Sequence, residues 1–258
     1  TTAQPKIVSL VSVGRHPKSG RSRCAEQDAR AVELGLRLAG EQLQLLHAGD
    51  EQQPALRSYL GMGLKQMTVI RQPESADVVP ALQDYLQSER PDIVLTGVRA
   101  ESGEGSGMTP YLLAEQLGWP LVTRIADITA IENGEAEILQ ALPRGQRRAL
   151  KVRLPFVASV DLAAEAPRQS AYGPGQRAAI GGVSGAVVED QVRADWQEAP
   201  ARKRPKRLKI AKAKTAADRF KAATAKPQGG GGKVLKNESS REKAQAILEL
   251  LNEEGVLR

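Results

Sequence analysis

Apolar positions along this chain recur in two alternating rhythms. KIVSLVSV (6–13) is a β-branched run of the kind that fills a buried strand. CAEQDARAVELGLRLAG (24–40) instead spaces Ala31, Leu34, Leu38 and Ala39 along one helical face, with Gly40 as a stop. QLQLLHAG then predicts a strand and PALRSYLGMG a helix, and QMTVIR, DVVPALQDYLQ, DIVLTG and TPYLLAEQLG repeat the pair twice more. Four strand–helix units in series predict a parallel sheet with right-handed crossovers, covered by helices.

After Trp119-Pro120 the rhythm changes. VTRIADITAIE, EAEILQALP and RRALKVRLPFVASVDL read as strands joined at Glu132-Asn133-Gly134 and Pro143-Arg144-Gly145. The middle one alternates residue by residue and LPFVASV looks buried, which predicts an antiparallel extension returning one strand to the main sheet. Beyond about residue 165, APRQSAYGPGQRAAIGGVSGA carries five glycines and two prolines and predicts a long irregular loop. PQGGGGK is a flexible joint. In NESSREKAQAILELLNEEGVLR, Ser239 with Glu242 fits a capping box, and Ala244, Ile247, Leu248 and Leu251 form an apolar stripe. A helix of this length is marginal alone in water, so it is expected to dock, and the joint points away from its own domain.

Composition sharpens this picture. A length of 258 residues allows one good-sized domain and an appendage; 41% of residues are hydrophobic but 3% aromatic, so aliphatic residues fill the core. The net charge of +7 is uneven: residues 201–236 hold 13 Lys or Arg against Asp218 alone, leaving −5 for the rest. Thirteen cations could release counterions from a nucleic acid. Phe220 is the one aromatic among them, and no helix-turn-helix, zinc or RNA-module pattern stands beside them; a solvated tail is the simpler alternative. Cys24 is the single cysteine, which suits a reducing compartment, and His16 and His47 are too few for a zinc site. No apolar run approaches the roughly 18–20 residues of a membrane span, and the opening TTAQPKIVSLVSVG lacks signal-peptide order. A cytoplasmic, bacterial setting without membrane insertion is therefore expected. With neither G-x-S-x-G nor H-E-x-x-H present, covalent catalysis is not expected; Ser19, Ser22 and Cys24 beside arginines read as a surface loop.

The fourth strand empties into GVRAESGEGSGMTP. In an open parallel sheet, ligands sit outside the carboxyl ends of the strands. A helix N-terminus there offers unpaired N–H groups and partial positive charge to a phosphate. Gly103, Gly105 and Gly107, spaced by single residues, could cradle such a group, with Ser106 or Thr109 capping the helix. The spacing is neither G-x-G-x-x-G nor a P-loop, and it fits an ordinary connecting loop equally well.

Several segments in order, from about residue 6 to 168 and again at the C-terminus, resemble the β subunit of electron-transfer flavoproteins. KIVSLVSVGR resembles its opening strand, EQDARAVELGLRL its N-P-F-D-E-x-A-V-E-E-A-L-R-L helix, and LGMGLKQMTVI its A-M-G-A-D-R-A-x-x-V segment. DIVLTGVRAESGEGSG stands where the family has G-K-Q-A-x-D-x-D, and GWPLVTR and LKVRLPFVASVDL…APR continue the correspondence. The resemblance implies a Rossmann-like, adenine-nucleotide-binding α/β fold with an antiparallel extension and an extended C-terminal arm ending in a helix. It also implies an AMP whose phosphate meets the main chain of Gly97, Val98, Arg99, Ala100, Glu101, Ser102, Gly103, Glu104, Gly105, Ser106, Gly107 and Met108. Ser12, Ala25, Glu26, Gln27, Asp28 and Ala48 would line the adenosine. A larger α subunit would hold most of an FAD, with His16 or Pro17 of the short HPKSGRSRC segment at the flavin. Glu101 and Glu104 stand where the family has aspartates and are expected to point away from the phosphate, with Arg99 offsetting them.

On this reading residues 1–165 form the nucleotide-binding domain, 166–192 a donor-recognition region presenting Tyr172, 193–236 a basic arm along the α subunit, and 237–258 a helix docked on it. The function implied is that of an electron carrier rather than an enzyme, taking electrons from a flavin-containing dehydrogenase and passing them to a quinone reductase. The rival is a stand-alone nucleotide-binding protein of the universal-stress type with a nucleic-acid-binding tail, which would leave the antiparallel extension and the final helix unexplained.

Overall fold

A computed structural model describes residues 4–197, 199, 215–218, 220 and 234–253. Contacts divide the chain into a unit spanning Thr1–Asp195 and one spanning Trp196–Arg258. In the first, β1 (Ile7–Leu10) is followed by β2 (Val13–Arg15) and β3 (Ser22–Cys24), then α1 (Glu26–Ala39) and β4 (Gln44–Gly49). Next come α2 (Pro54–Leu60), β5 (Gln66–Arg71), the short β6 (Ala76–Asp77), α3 (Val78–Glu89), β7 (Ile93–Gly97) and α4 (Thr109–Leu117). The four strand–helix units are those that the apolar rhythm predicts.

Strand order places the functional edge. The main sheet runs β10-β9-β8-β11-β7-β1-β4-β5-β12, with β8 (Leu121–Glu132), β9 (Glu135–Ala141), β10 (Arg147–Arg153), β11 (Phe156–Val160) and β12 (Ala179–Ser184). β1 pairs in parallel with both β4 and β7, and β11 with both β7 and β8. β9 and β10 form the antiparallel extension, and β11 returns to the sheet as expected. Because successive units leave β1 in opposite directions, the crevice beyond the carboxyl ends of β1 and β7 is the topological switch point, where such sheets bind ligands.

The period-two pattern of the strands builds two cores. Ile7, Ile93, Leu95, Phe156 and Ala158 face α1 and α2, while Val8, Leu10, Val94 and Val157 face α3 and α4. Burying both faces explains why these strands read as unbroken apolar runs.

Two local expectations are overturned. KIVSLVSV is not one strand: Ser12 N–H donates to Asp28 Oδ2 at 2.8 Å instead of continuing the ladder, and the chain leaves the sheet to begin the β2–β3 hairpin. Residues 166–186 are not an irregular loop. α5 (Tyr172–Arg177) is followed by β12, which pairs in parallel with β5 along its whole length. The glycines there serve close packing: a Cβ on Gly175 would sit 2.5 Å from Arg57 O. Arg57 Nη1 holds the segment by the carbonyls of Gly175, Gln176 and Ala178. The short β13 (Val188–Glu189) then pairs antiparallel with β6.

In the second unit a helix spans Ser240–Glu253. The expected capping box forms: Ser239 N–H donates to Glu242 Oε2 at 2.8 Å and Glu242 N–H to Ser239 Oγ at 3.3 Å. Ile247, Leu248 and Leu250 are more than half exposed on it. Most of the basic stretch and the glycine joint lie outside the described residues. Among the described residues, no helix is long and apolar enough to cross a membrane.

Candidate functional site

The edge of the site is framed by Asp28 on α1. Its Oδ2 accepts Ser12 N–H at 2.8 Å and Ser12 Oγ–H at 2.5 Å; its Oδ1 accepts Gly97 N–H at 3.0 Å. One carboxyl group thus ties the ends of the two strands that diverge at the switch point. Burial is the largest influence on it and pushes its pKa up to about 6, against the lowering effect of the hydrogen bonds from Ser12 and Gly97. The neighbouring Gln27 Oε1 accepts Val98 N–H at 2.9 Å and Arg99 N–H at 3.2 Å.

The turn changes character after Arg99. No main-chain N–H from Ala100 to Gly107 meets an acceptor among the described residues. Gly103, Gly105 and Gly107 have φ of 72°, 63° and 79°, while Ser102 before them and Glu104 and Ser106 between them remain at negative φ. Alternation of negative and positive φ is the pattern that lets successive N–H groups turn toward one concavity, as in an anion-binding nest. Met108 N–H is met by Ser106 Oγ at 3.3 Å, and Thr109 opens α4. The residues fit a phosphate there through main-chain donors.

The two carboxylates of the turn behave differently. Glu101 Oε1 accepts Glu26 N–H at 2.8 Å, and Arg23 Nη2 lies 3.2 Å from the same oxygen. Its charge is thus met by a guanidinium and directed to the hairpin and the start of α1. Glu104 is exposed. Ser102 turns its hydroxyl inward and donates to Val13 O at 2.6 Å.

The predicted residues divide into three groups. Ser12, Ala25 to Asp28 and residues 97–108 converge on the switch point. Ala48, near the end of β4, reaches the same edge of the sheet but packs its methyl group against the α3–α4 core. Tyr172 is 81% exposed at the start of α5 and belongs to the β5–β12 side. Tyr59 is a participant that the sequence reading misses. Fully buried on α2, its hydroxyl accepts Ala25 N–H at 2.8 Å and donates to Ser12 O at 2.8 Å, and burial holds its pKa well above the usual phenol. A tyrosine on the apolar face of PALRSYLGMG is the available signal, since a buried hydroxyl needs partners. His47 is likewise buried with its Nδ1 2.8 Å from Val11 O; burial lowers its pKa and favours the neutral ring. Among the described residues, no group of three His, Cys, Asp or Glu could hold a metal ion.

Residues 18–195 match the electron transfer flavoprotein domain family. Over 256 residues, 98% of this chain and 96% of the relative, the sequence is 56% identical to an electron transfer flavoprotein subunit beta of Chromohalobacter salexigens. A second match, 29% identical over 145 residues, covers 52% of this chain and 54% of YgcR of Escherichia coli (strain K12), whose name associates it with electron transfer flavoprotein subunits.

Proposed function

The chain belongs to the electron-transfer flavoprotein family as a β-subunit-type electron carrier rather than an enzyme, and from this we propose that it binds AMP at the switch point as a structural element of a heterodimer. The larger α subunit holds most of the FAD. The pair takes electrons from a flavin-containing dehydrogenase and delivers them to a quinone reductase. When bound, the flavin supplies the redox chemistry; the residues of this chain bind, orient and shape the protein around it.

The observation that carries the nucleotide reading is the run of N–H groups from Ala100 to Gly107 without a chain acceptor, beside three left-handed glycines. Ser106 can add its hydroxyl to the phosphate. Ser12 and the start of α1 border the adenosine, with Asp28 and Tyr59 fixing the backbone around it. Elsewhere, the exposed Tyr172 supports a role in dehydrogenase recognition, and Ile247 and Leu248 support docking of the final helix on the α subunit.

Denaturing the purified heterodimer and identifying the released nucleotide tests the proposal. We expect one AMP per β chain. FAD in its place would redefine the site as a second flavin site, and release of no nucleotide attributable to this chain would refute the reading. Because the ligand binds the folded form, its removal should also lower thermal stability.

A further inference from the structure

Helix α1 begins after Ala25, which has no side-chain oxygen with which to cap it. The cap comes from 75 residues away: Glu101 Oε1 accepts Glu26 N–H at 2.8 Å. Glu101 Oε2 accepts Arg15 N–H at 3.1 Å and Arg23 Nε–H at 3.3 Å, while Arg23 Nη2 donates to Oε1 at 3.2 Å. Ser102 adds its bond to Val13 O. Two consecutive residues of the turn therefore grip both strands of the β2–β3 hairpin.

The base of the hairpin packs on α2, with Val13 and Cys24 against the core and Cys24 Sγ 3.9 Å from Ala55 O. Its two strands nevertheless form a sheet separate from the nine-stranded one, and a two-stranded hairpin is marginal in water without such side-chain support, to which Glu101 and Ser102 add. Residues 15–23 carry four Lys or Arg and no acid, so like charges add to the tendency to open. Among the described residues, Glu101 is the acid that forms an ion pair with one of these cations, Arg23. Its seat is shaped for it: a Cβ on Gly14 would stand 2.7 Å from both Glu101 Oε2 and the Ala25 main chain.

We propose that Glu101 is a positioning residue, a latch that joins the glycine turn to the hairpin so that an anion ordering the turn also stiffens residues 13–24. The latch stands on the contacts alone; its response to an anion rests on the nucleotide reading. Hydrogen exchange on the full chain in its heterodimer tests both parts, using wild type, Glu101→Gln, Arg23→Gln and, as a remote ion-pair control, Glu41→Gln. We expect Glu101→Gln to accelerate exchange in residues 13–24 about tenfold, Arg23→Gln to do so less, and Glu41→Gln to change nothing there. The amides of β1 and β7 should keep wild-type protection. Unchanged exchange in 13–24, or an equal rise in β1 and β7, would overturn the latch. In heterodimer first stripped of its nucleotide, added AMP should slow exchange in 97–108 and 13–24 of the wild type but only in 97–108 of Glu101→Gln. Protection of the wild-type turn without the hairpin would overturn the coupling. Protection of neither, with the Glu101→Gln effect intact, would refute the nucleotide reading and leave the latch standing.

Discussion

In residues 97–99 of the turn every main-chain N–H ends on a side chain of α1, whereas from 100 to 107 none meets an acceptor among the described residues. The first half is paired and leads from a buried strand; the second alternates left-handed glycines and faces outward. An unpaired buried donor is costly, so the paired donors belong to the scaffold, while unpaired donors at an exposed nest remain available to an incoming anion. The family resemblance spreads the expected phosphate contacts over all of 97–108; the geometry leaves unpaired donors in the second half alone. Perturbing the two halves should therefore have different consequences.

The largest effect is expected at Gly97. A Cβ there would strike Asp28 Oδ1 and lie 3.0 Å from Gln27 Cβ, so Gly97→Ala should destabilise the fold by about 3 kcal/mol in urea unfolding. Asp28→Asn should expose a pH dependence. Burial raises the folded pKa of Asp28 to about 6 from 3.8, so the folded state binds this proton more tightly than the unfolded chain. Its contribution is full below about pH 4 and is lost as the pH rises through about 6. Between pH 7.5 and 4.5, wild type should gain about 2 kcal/mol relative to the variant, measured by paired unfolding curves.

Tyr59→Phe leaves Ala25 N–H and Ser12 O without their bridging hydroxyl and should cost about 1–2 kcal/mol by the same measurement. Gly105→Ala probes the open half. Its φ of 63° is unfavourable to alanine, but the nearest atom to an added Cβ is Ala100 O at 3.4 Å. Stability should fall by about 1 kcal/mol, while the calorimetric AMP affinity of nucleotide-stripped heterodimer falls roughly tenfold as the nest loses its shape. Equal stability losses for Gly97→Ala and Gly105→Ala would erase the distinction between the halves.

What was legible in the sequence follows from how local each signal is. DIVLTG and LPFVASV announce themselves because strands buried on both faces are continuously apolar. Gly103, Gly105 and Gly107 stand out by spacing, and their residue type permits, without dictating, the left-handed φ values they adopt. AIGGVS does not read as a strand because glycine lacks strand propensity, and its place is set by pairing with β5 more than a hundred residues earlier in the chain. The partners of Ser12, Gly97 and Glu101 are likewise hidden: Asp28 reaches 69 residues to Gly97, and Glu101 caps a helix 75 residues away. Periodicity finds the elements, but it does not show which side chains close across the switch point.

Selective ¹⁵N-glycine labelling of the full chain in its heterodimer, stripped of bound nucleotide and then titrated with AMP, tests the division of the turn most directly. The account predicts that the amide signals of Gly103, Gly105 and Gly107 move strongly, while that of Gly97, held by Asp28, barely shifts. Movement of Gly97 with the other three silent would contradict it.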